Sequence, residues 1–150
     1  LYADQLYRFI LKNMKDEEKA RDVVQDTYEK LWVKVSDVAS TNAKSYMFTT
    51  AYHTMIDRIR RDKRQTELTA TRELTLSHSR QYSDLKEVLD EALTKLSDTQ
   101  RSLILLRDYE GYSYAEIGEI TGLNESQVKV YIFRARALLK NYIGAMENVI

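Results

Sequence analysis

The chain has 150 residues, of which 43% are hydrophobic, and its 23 acidic and 23 basic side chains leave no net charge. This length suits one ordinary domain or two small helical ones, and zero net charge argues against a protein that coats nucleic acid nonspecifically. The chain has no cysteine, which excludes disulfides and thiolate-bound zinc, and only two histidines, His53 and His78. We therefore expect neither a metal nor another cofactor.

The distribution of apolar residues gives no sign of a membrane protein. No apolar run approaches the roughly 18 residues that span a bilayer, and no signal-peptide or lipidation motif is present. We expect a cytoplasmic protein with no membrane insertion. Proline is absent and only four glycines occur, so helix propensity is uninterrupted over long stretches. The sequence predicts an all-α fold.

The first long helix is predicted from Asp16 to Val35, where apolar residues recur at steps of three and four. The opposite face carries Asp22, Gln25, Asp26, Glu29 and Val33, with Trp32 at its border. Such a face is commonly only solvated, but a tryptophan beside it favours a contact with another protein.

A second long helix is predicted from Ala43 to Arg64, after a polar loop at Ser36 to Asn42. Its exposed stripe is first aromatic and then basic: Tyr46, His53, Asp57, Arg60 and Arg64, with Arg58, Arg61 and Lys63 nearby. Flat rings stack on unpaired bases and cations neutralise phosphates, so this pattern suits melted DNA. The alternative is a solvated helix end that complements the helix dipole. His53 and Asp57 have metal-ligand spacing, but no third ligand accompanies them.

The chain loses its apolar periodicity from Gln65 to Asp84, which predicts a flexible linker between two domains. Helical spacing resumes at Leu85. Three capping boxes then predict where later helices begin. They are Ser97 with Gln100, Ser113 with Glu116, and Asn124 with Gln127.

The segment from Tyr114 to Arg136 has the spacing of a helix-turn-helix. Gly118 permits a close approach of two helices, and Gly122 ends the first helix in a left-handed conformation. The face left exposed on the second helix carries Ser126, Lys129, Val130, Phe133, Arg134 and Ala137, and this face enters the major groove in a helix-turn-helix. The alternative is an ordinary helical hairpin with a glycine turn.

Two segments resemble the extracytoplasmic-function branch of the sigma-70 family. Residues 20–28, Ala-Arg-Asp-Val-Val-Gln-Asp-Thr-Tyr, followed by Leu31 and Trp32, resemble the family's region 2.2, which docks on the clamp helices of the largest polymerase subunit. Residues 128–136, preceded by Tyr114-Ala-Glu-Ile-Gly118, resemble region 4.2, which binds the −35 element. The resemblance implies a sigma2-like helical bundle at 1–64, a linker at 65–84 and a sigma4-like helix-turn-helix domain at 85–150.

The resemblance also implies roles for individual residues. It places core-polymerase binding at Asp22, Gln25, Asp26, Glu29 and Trp32. It places DNA binding at Tyr46, His53, Asp57, Arg60, Arg61 and Arg64 for the −10 element, and at Ser126, Gln127, Lys129, Phe133 and Arg134 for the −35 element. Residues 36–42 stand where the family has a loop that holds a flipped-out base. The chain departs from the common pattern with Tyr46 in place of tryptophan, His53 in place of asparagine, and Tyr131 in place of arginine.

The partners implied by the resemblance are promoter DNA, core RNA polymerase (the clamp of the largest subunit and the flap of the second largest) and an anti-sigma factor that wedges between the two domains. The implied function is to direct polymerase to promoters without catalysis. Three alternatives compete with it: a stand-alone repressor or activator, a helical adaptor with no DNA role, and an enzyme. Against an enzyme, the sequence lacks paired histidine and carboxylate clusters, a phosphate-binding glycine loop and a nucleophile motif.

Overall fold

A computed structural model describes residues 2–33, 43–69 and 85–149, and every element in these ranges is helical. The helices are α1 (Tyr2–Met14), α2 (Glu17–Val33), α3 (Ala43–Thr69), α4 (Leu85–Leu93), α5 (Asp98–Ile104), α6 (Tyr114–Thr121) and α7 (Glu125–Val149), with a π-helical turn (Leu105–Tyr109) directly after α5. Residues 34–42, with the predicted loop, and 70–84, with most of the predicted linker, lie outside the described residues. None of the described helices is long and apolar enough to cross a membrane.

Helices α1, α2 and α3 form the first helical group. They pack around a shared apolar core: Leu6, Phe9, Ile10, Ala20, Val23, Phe48, Ala51 and Met55. The turn between α1 and α2 has Lys15 in the left-handed region, with φ 57°, and the Asp16 carboxylate accepts the backbone N–H of Lys19 at 3.0 Å. This cap satisfies a free donor of α2 and fixes where the helix begins.

Helix α3 continues to Thr69, past the end that the apolar pattern predicts at Arg64. Gln65, Glu67 and Leu68 are exposed, so this extension has no buried face to mark it in the sequence. Strong helix formers sustain it instead. The prediction that the helix ends at Arg64 was wrong, because apolar periodicity marks only the part of a helix that has a buried face.

Helices α4 to α7 form the second helical group, and all three predicted capping boxes are present in it. Each box joins a side-chain oxygen to the N–H three residues on, with a reciprocal bond back to the cap, at distances of 2.8 to 3.1 Å. These caps begin α5, α6 and α7 where the sequence predicts, because the signal lies within four residues.

The two helical groups pack directly against each other. The Phe48 ring lies 5.6 Å from that of Phe9 and 5.4 Å from that of Tyr112, both in edge-to-face geometry, and Asn13 and Ser102 form a buried hydrogen bond of 3.0 Å. Phe9, Phe48 and Asn13 belong to the first group, and Tyr112 and Ser102 to the second. The buried residues therefore form one continuous core across the groups.

Candidate nucleic-acid interface

The turn between α6 and α7 has the geometry of a helix-turn-helix. Gly122 ends α6 with φ 83°, and its N–H donates to the Gly118 carbonyl at 2.8 Å. A Cβ on Gly118 would lie 2.8 Å from the backbone oxygen of Leu123. The predicted close approach at Gly118 is therefore present. The backbone that approaches Gly118 belongs to the turn, however, and not to the second helix.

Burial fixes the rotation of α7. Val128, Ile132 and Ala135 are buried against the core, together with Ile117 and Ile120 of α6. All six side chains that the sequence predicts on the exposed face of α7 are exposed: Ser126, Lys129, Val130, Phe133, Arg134 and Ala137. Gln127, which the resemblance assigns to DNA binding, is exposed as well. Phe133 is 73% exposed. Val130 is 45% exposed, so two apolar side chains accompany the basic Lys129 and Arg134 on this face, and such a combination favours a contact surface.

Gln127 has a structural role beside its predicted DNA contact. Its side-chain oxygen accepts the Asn124 N–H at 3.0 Å, and its own N–H donates to the Asn124 side chain at 2.8 Å. A bidentate contact with adenine needs both the oxygen and the nitrogen of the amide. While the cap is intact, the amide nitrogen is the part of Gln127 that is free to contact a base.

The two arginines near the middle of α7 differ in how they are partnered. Arg136 binds Asp108 at 2.6 Å. This hydrogen bond raises the pKa of Arg136 and outweighs burial, which lowers it, so the pKa lies above its ordinary value. Arg134 makes no ion pair with any other residue in the described ranges. Arg134 is therefore the guanidinium available to a phosphate.

The stripe on α3 is exposed along most of its length, at His53, Asp57, Arg60, Arg61 and Arg64. Tyr46 differs, because it is half-buried and lines a groove of about 290 Å³ with Lys30, Val33 and Thr50. The Tyr46 ring is therefore only partly accessible to a flat group.

The basic end of α3 contains both paired and unpaired cations. Arg58 contacts Asp22 at 3.8 Å and Asp62 at 3.3 Å. Arg60, Arg61 and Arg64 form no ion pair within the part of the chain that the structure describes. These three guanidinium groups leave a local positive charge on a chain of zero net charge, which is what a phosphate backbone attracts.

The acidic and amide face of α2 points away from the core, as the sequence predicts. Asp22, Gln25, Asp26 and Glu29 are exposed, and the Gln25 amide donates to the Glu29 carboxylate at 3.5 Å. Trp32 is 78% exposed and Val33 80%. Sequence reasoning placed Val33 on this face without giving it a role, yet with Trp32 it forms an apolar end to an otherwise polar face. Exposed apolar side chains beside a polar rim are typical of a protein-binding surface.

Two family profiles match this chain. The family profile described as Sigma-70 region 2 matches residues 1–65, and that described as Sigma-70, region 4 matches residues 86–139. RNA polymerase sigma factor YlaC of Bacillus subtilis is 30% identical over 148 residues, which cover 93% of this chain and 86% of that protein. The chain belongs to the extracytoplasmic-function branch of the sigma-70 family. Its role is that of a sigma factor in promoter-directed transcription initiation.

Other members of the family extend the similarity to nearly the whole chain. The extracytoplasmic-function sigma factor SigM of Bacillus subtilis is 27% identical over 145 residues, covering 93% of this chain and 89% of SigM. The sigma factor RpoE of Bartonella quintana, solved in complex with the anti-sigma factor NepR, superposes with a TM-score of 0.79 at 28% identity, covering 95% of this chain and 91% of that one. CnrH, solved with the cytosolic domain of CnrY, gives a TM-score of 0.69 at 26% identity, covering 96% and 83%. The all-α architecture is therefore that of the family.

Proposed function

We propose that this sigma factor uses three binding surfaces. Two lie in a domain at 1–64 and one lies in a domain at 85–150, and residues 65–84 join the two domains. The α2 face holds core polymerase, α3 holds the melted −10 strand, and α7 reads the −35 duplex. The observation that carries this division is that the assigned side chains, apart from the half-buried Tyr46, are exposed on three helices that pack on one shared core.

Core polymerase binding is assigned to Asp22, Gln25, Asp26, Glu29 and Trp32. The exposed Trp32 supplies apolar area, and the polar groups supply hydrogen bonds and charge that set orientation. The partner we propose for this face is the clamp of the largest polymerase subunit. The second helical group would contact the flap of the second-largest subunit.

DNA opening is assigned to α3. Unpaired bases stack on His53 and on the accessible side of Tyr46, and Asp57 accepts a hydrogen bond from a base edge. Arg60, Arg61 and Arg64 then neutralise the backbone of the same strand. An unpaired strand fits this surface better than a duplex does, because stacking requires bases that are free of their own neighbours.

Duplex reading is assigned to the exposed face of α7. Ser126, Gln127 and Lys129 lie in its first turns, where helix-turn-helix proteins place their base-contacting side chains. Phe133 offers an apolar contact to a thymine methyl group, and Arg134 binds phosphate. We therefore expect the first turns to set sequence preference and Arg134 to set affinity.

The remaining proposals concern regulation, cellular location and catalysis. RpoE of Bartonella quintana was solved in complex with the anti-sigma factor NepR, and CnrH in complex with the cytosolic domain of CnrY. We propose an anti-sigma factor for this chain as well. We further propose that it acts in the cytoplasm and catalyses no reaction of its own.

A mobility-shift experiment separates this proposal from a stand-alone repressor. Promoter fragments are mixed with the chain alone, with core polymerase alone and with both together. The proposal expects a specific shift only with both. A specific shift by the chain alone, unchanged when core polymerase is added, would show a repressor or activator that uses only the helix-turn-helix.

A further inference from the structure

One ion pair between the two helical groups uses a residue from the basic end of α3. The Lys63 ammonium lies 2.6 Å from the Asp98 carboxylate, which is in the first turn of α5. Lys63 is next to Arg64 in the chain and one turn from Arg60, both unpaired and exposed. The same ammonium therefore connects the two groups and borders the surface to which we assign the DNA backbone.

Asp98 is the fixed partner in this pair. Its other carboxylate oxygen accepts from Arg101 at 2.6 Å, and Arg101 is itself buried and donates to the Leu96 carbonyl at 3.1 Å. The Lys63 side chain is 65% exposed, against 26% for Asp98. If Lys63 moves away, Asp98 keeps its bond to Arg101, so the ammonium is the part of the pair that is free to change partners.

The pair lies at an open edge of the contact between the groups. Two clefts of about 490 and 470 Å³ flank it, and Lys63, Asp98 and Arg101 line both of them. Solvent therefore reaches the pair from either side. The buried part of the contact, at Asn13 with Ser102 and Phe48 with Tyr112, does not depend on it.

We propose that a DNA phosphate bound at the basic end of α3 replaces Asp98 as the partner of Lys63, so that nucleic-acid binding and the contact between the helical groups compete for one ammonium. This inference rests on the proposed DNA-binding role of α3. If the two compete, DNA binding and the Lys63–Asp98 contact weaken each other by the same factor. Removing Asp98 should therefore strengthen DNA binding by that factor. For an exposed ion pair that factor is about two- to fivefold.

The test measures binding of a fluorescein-labelled single-stranded oligonucleotide to the full chain at low salt, by anisotropy. Four proteins form a cycle: wild type, Asp98→Asn, Lys63→Gln and the double variant. Asp90→Asn is the matched control, since it removes one negative charge from another ion pair between the groups, with Lys12 at 3.7 Å, away from the surfaces that we assign to DNA. Lys63 is exposed, so Lys63→Gln keeps the fold.

We expect Asp98→Asn to bind the oligonucleotide about two- to fivefold more tightly and Asp90→Asn to bind like wild type. The gain must disappear in the double variant, because it comes from the released Lys63. A gain that persists without Lys63 would reflect only the lost negative charge and would overturn the inference, as would no gain at all. Absence of oligonucleotide binding by every variant would also overturn it, whereas failure of promoter-directed transcription is a separate result that would remove the proposed function.

Discussion

The hydroxyl of Ser102 donates a 3.0 Å hydrogen bond to the side-chain oxygen of Asn13, which lies 89 positions earlier in the chain. Both residues are buried, and the Asn13 nitrogen donates in turn to the Phe9 carbonyl at 2.9 Å. A satisfied buried network of this kind fixes one relative placement of the elements that it joins. It therefore specifies how α5 is seated on α1.

The first prediction concerns this bond. Asn13→Ala and Ser102→Ala should each lower the free energy of unfolding by about 1–3 kcal/mol, because each leaves a buried polar partner unsatisfied. The double variant should lose less than the sum, with a coupling of about 0.5–1.5 kcal/mol, since the second deletion removes the group left unpaired by the first. Urea denaturation followed by circular dichroism measures all four proteins. Strict additivity would mean that the two groups are not joined here in solution.

The second prediction uses three glycines of the second group. Gly118→Ala should destabilise the chain by about 1–3 kcal/mol because of its contact with the Leu123 carbonyl. Gly122→Ala should cost about 1–2 kcal/mol for a left-handed backbone. Gly144, inside α7 with open space around it, is the matched control, and Gly144→Ala should stabilise by about 0.5–1 kcal/mol. Thermal unfolding ranks the three variants. Equal effects at Gly118 and Gly144 would contradict the turn geometry.

Features that depend on neighbouring residues could be predicted from the sequence, whereas contacts between distant residues could not. Caps such as Ser113 and the left-handed Gly122 depend on a few neighbouring residues, so local rules predict them. The exposed face of α7 follows from helical periodicity. Asn13 and Ser102 carry no such signal, because their partners are distant in sequence and each is an ordinary polar residue on a helix. The contact between the groups was therefore beyond sequence reasoning, as was the engagement of Lys63 by Asp98.

The third prediction concerns acid stability. Burial raises the pKa of Asp98, but hydrogen bonds and charge from Lys63 and Arg101 outweigh it and leave the pKa below its ordinary value of 3.8. A carboxyl with a lowered pKa adds stability above its unfolded pKa and loses it as the pH falls through the folded value. The stability difference between wild type and Asp98→Asn should be constant above about pH 5 and shrink below about pH 4. Urea denaturation at a series of pH values measures it, and a difference that grows in acid would contradict this assignment.

The fourth prediction concerns core polymerase. Asp26→Arg and Gln25→Ala should weaken core binding without loss of helicity, because both side chains are exposed on the α2 face. A charge reversal at a polar interface costs affinity through like-charge contact and lost hydrogen bonds. Asp4→Arg, at an exposed acid on α1, is the control and should bind core as wild type does. Pull-down with immobilised core measures binding, and unchanged affinity of Asp26→Arg would remove this face from the interface.

The fifth prediction concerns α7. Arg134→Ala should weaken binding of the holoenzyme to all promoters similarly and reduce the salt dependence by about one phosphate contact. Arg136→Ala is the matched control, since Arg136 is already paired with Asp108, and should have a smaller effect. Gln127→Ala should instead change the ranking of −35 variants, by less than the roughly 1–3 kcal/mol of a bidentate contact, because the cap engages the amide oxygen. Identical rankings by wild type, Gln127→Ala and Arg134→Ala holoenzymes would contradict the readout assigned to α7.

The central claim is tested most directly by run-off transcription with core polymerase and a library of genomic promoter fragments. The claim predicts discrete transcripts from a small set of fragments when the chain is added, and their loss when the chain carries Asp26→Arg. Asp4→Arg should leave them unchanged. Transcripts no more abundant than those of core polymerase alone, from a chain that is folded and binds core, would contradict the account.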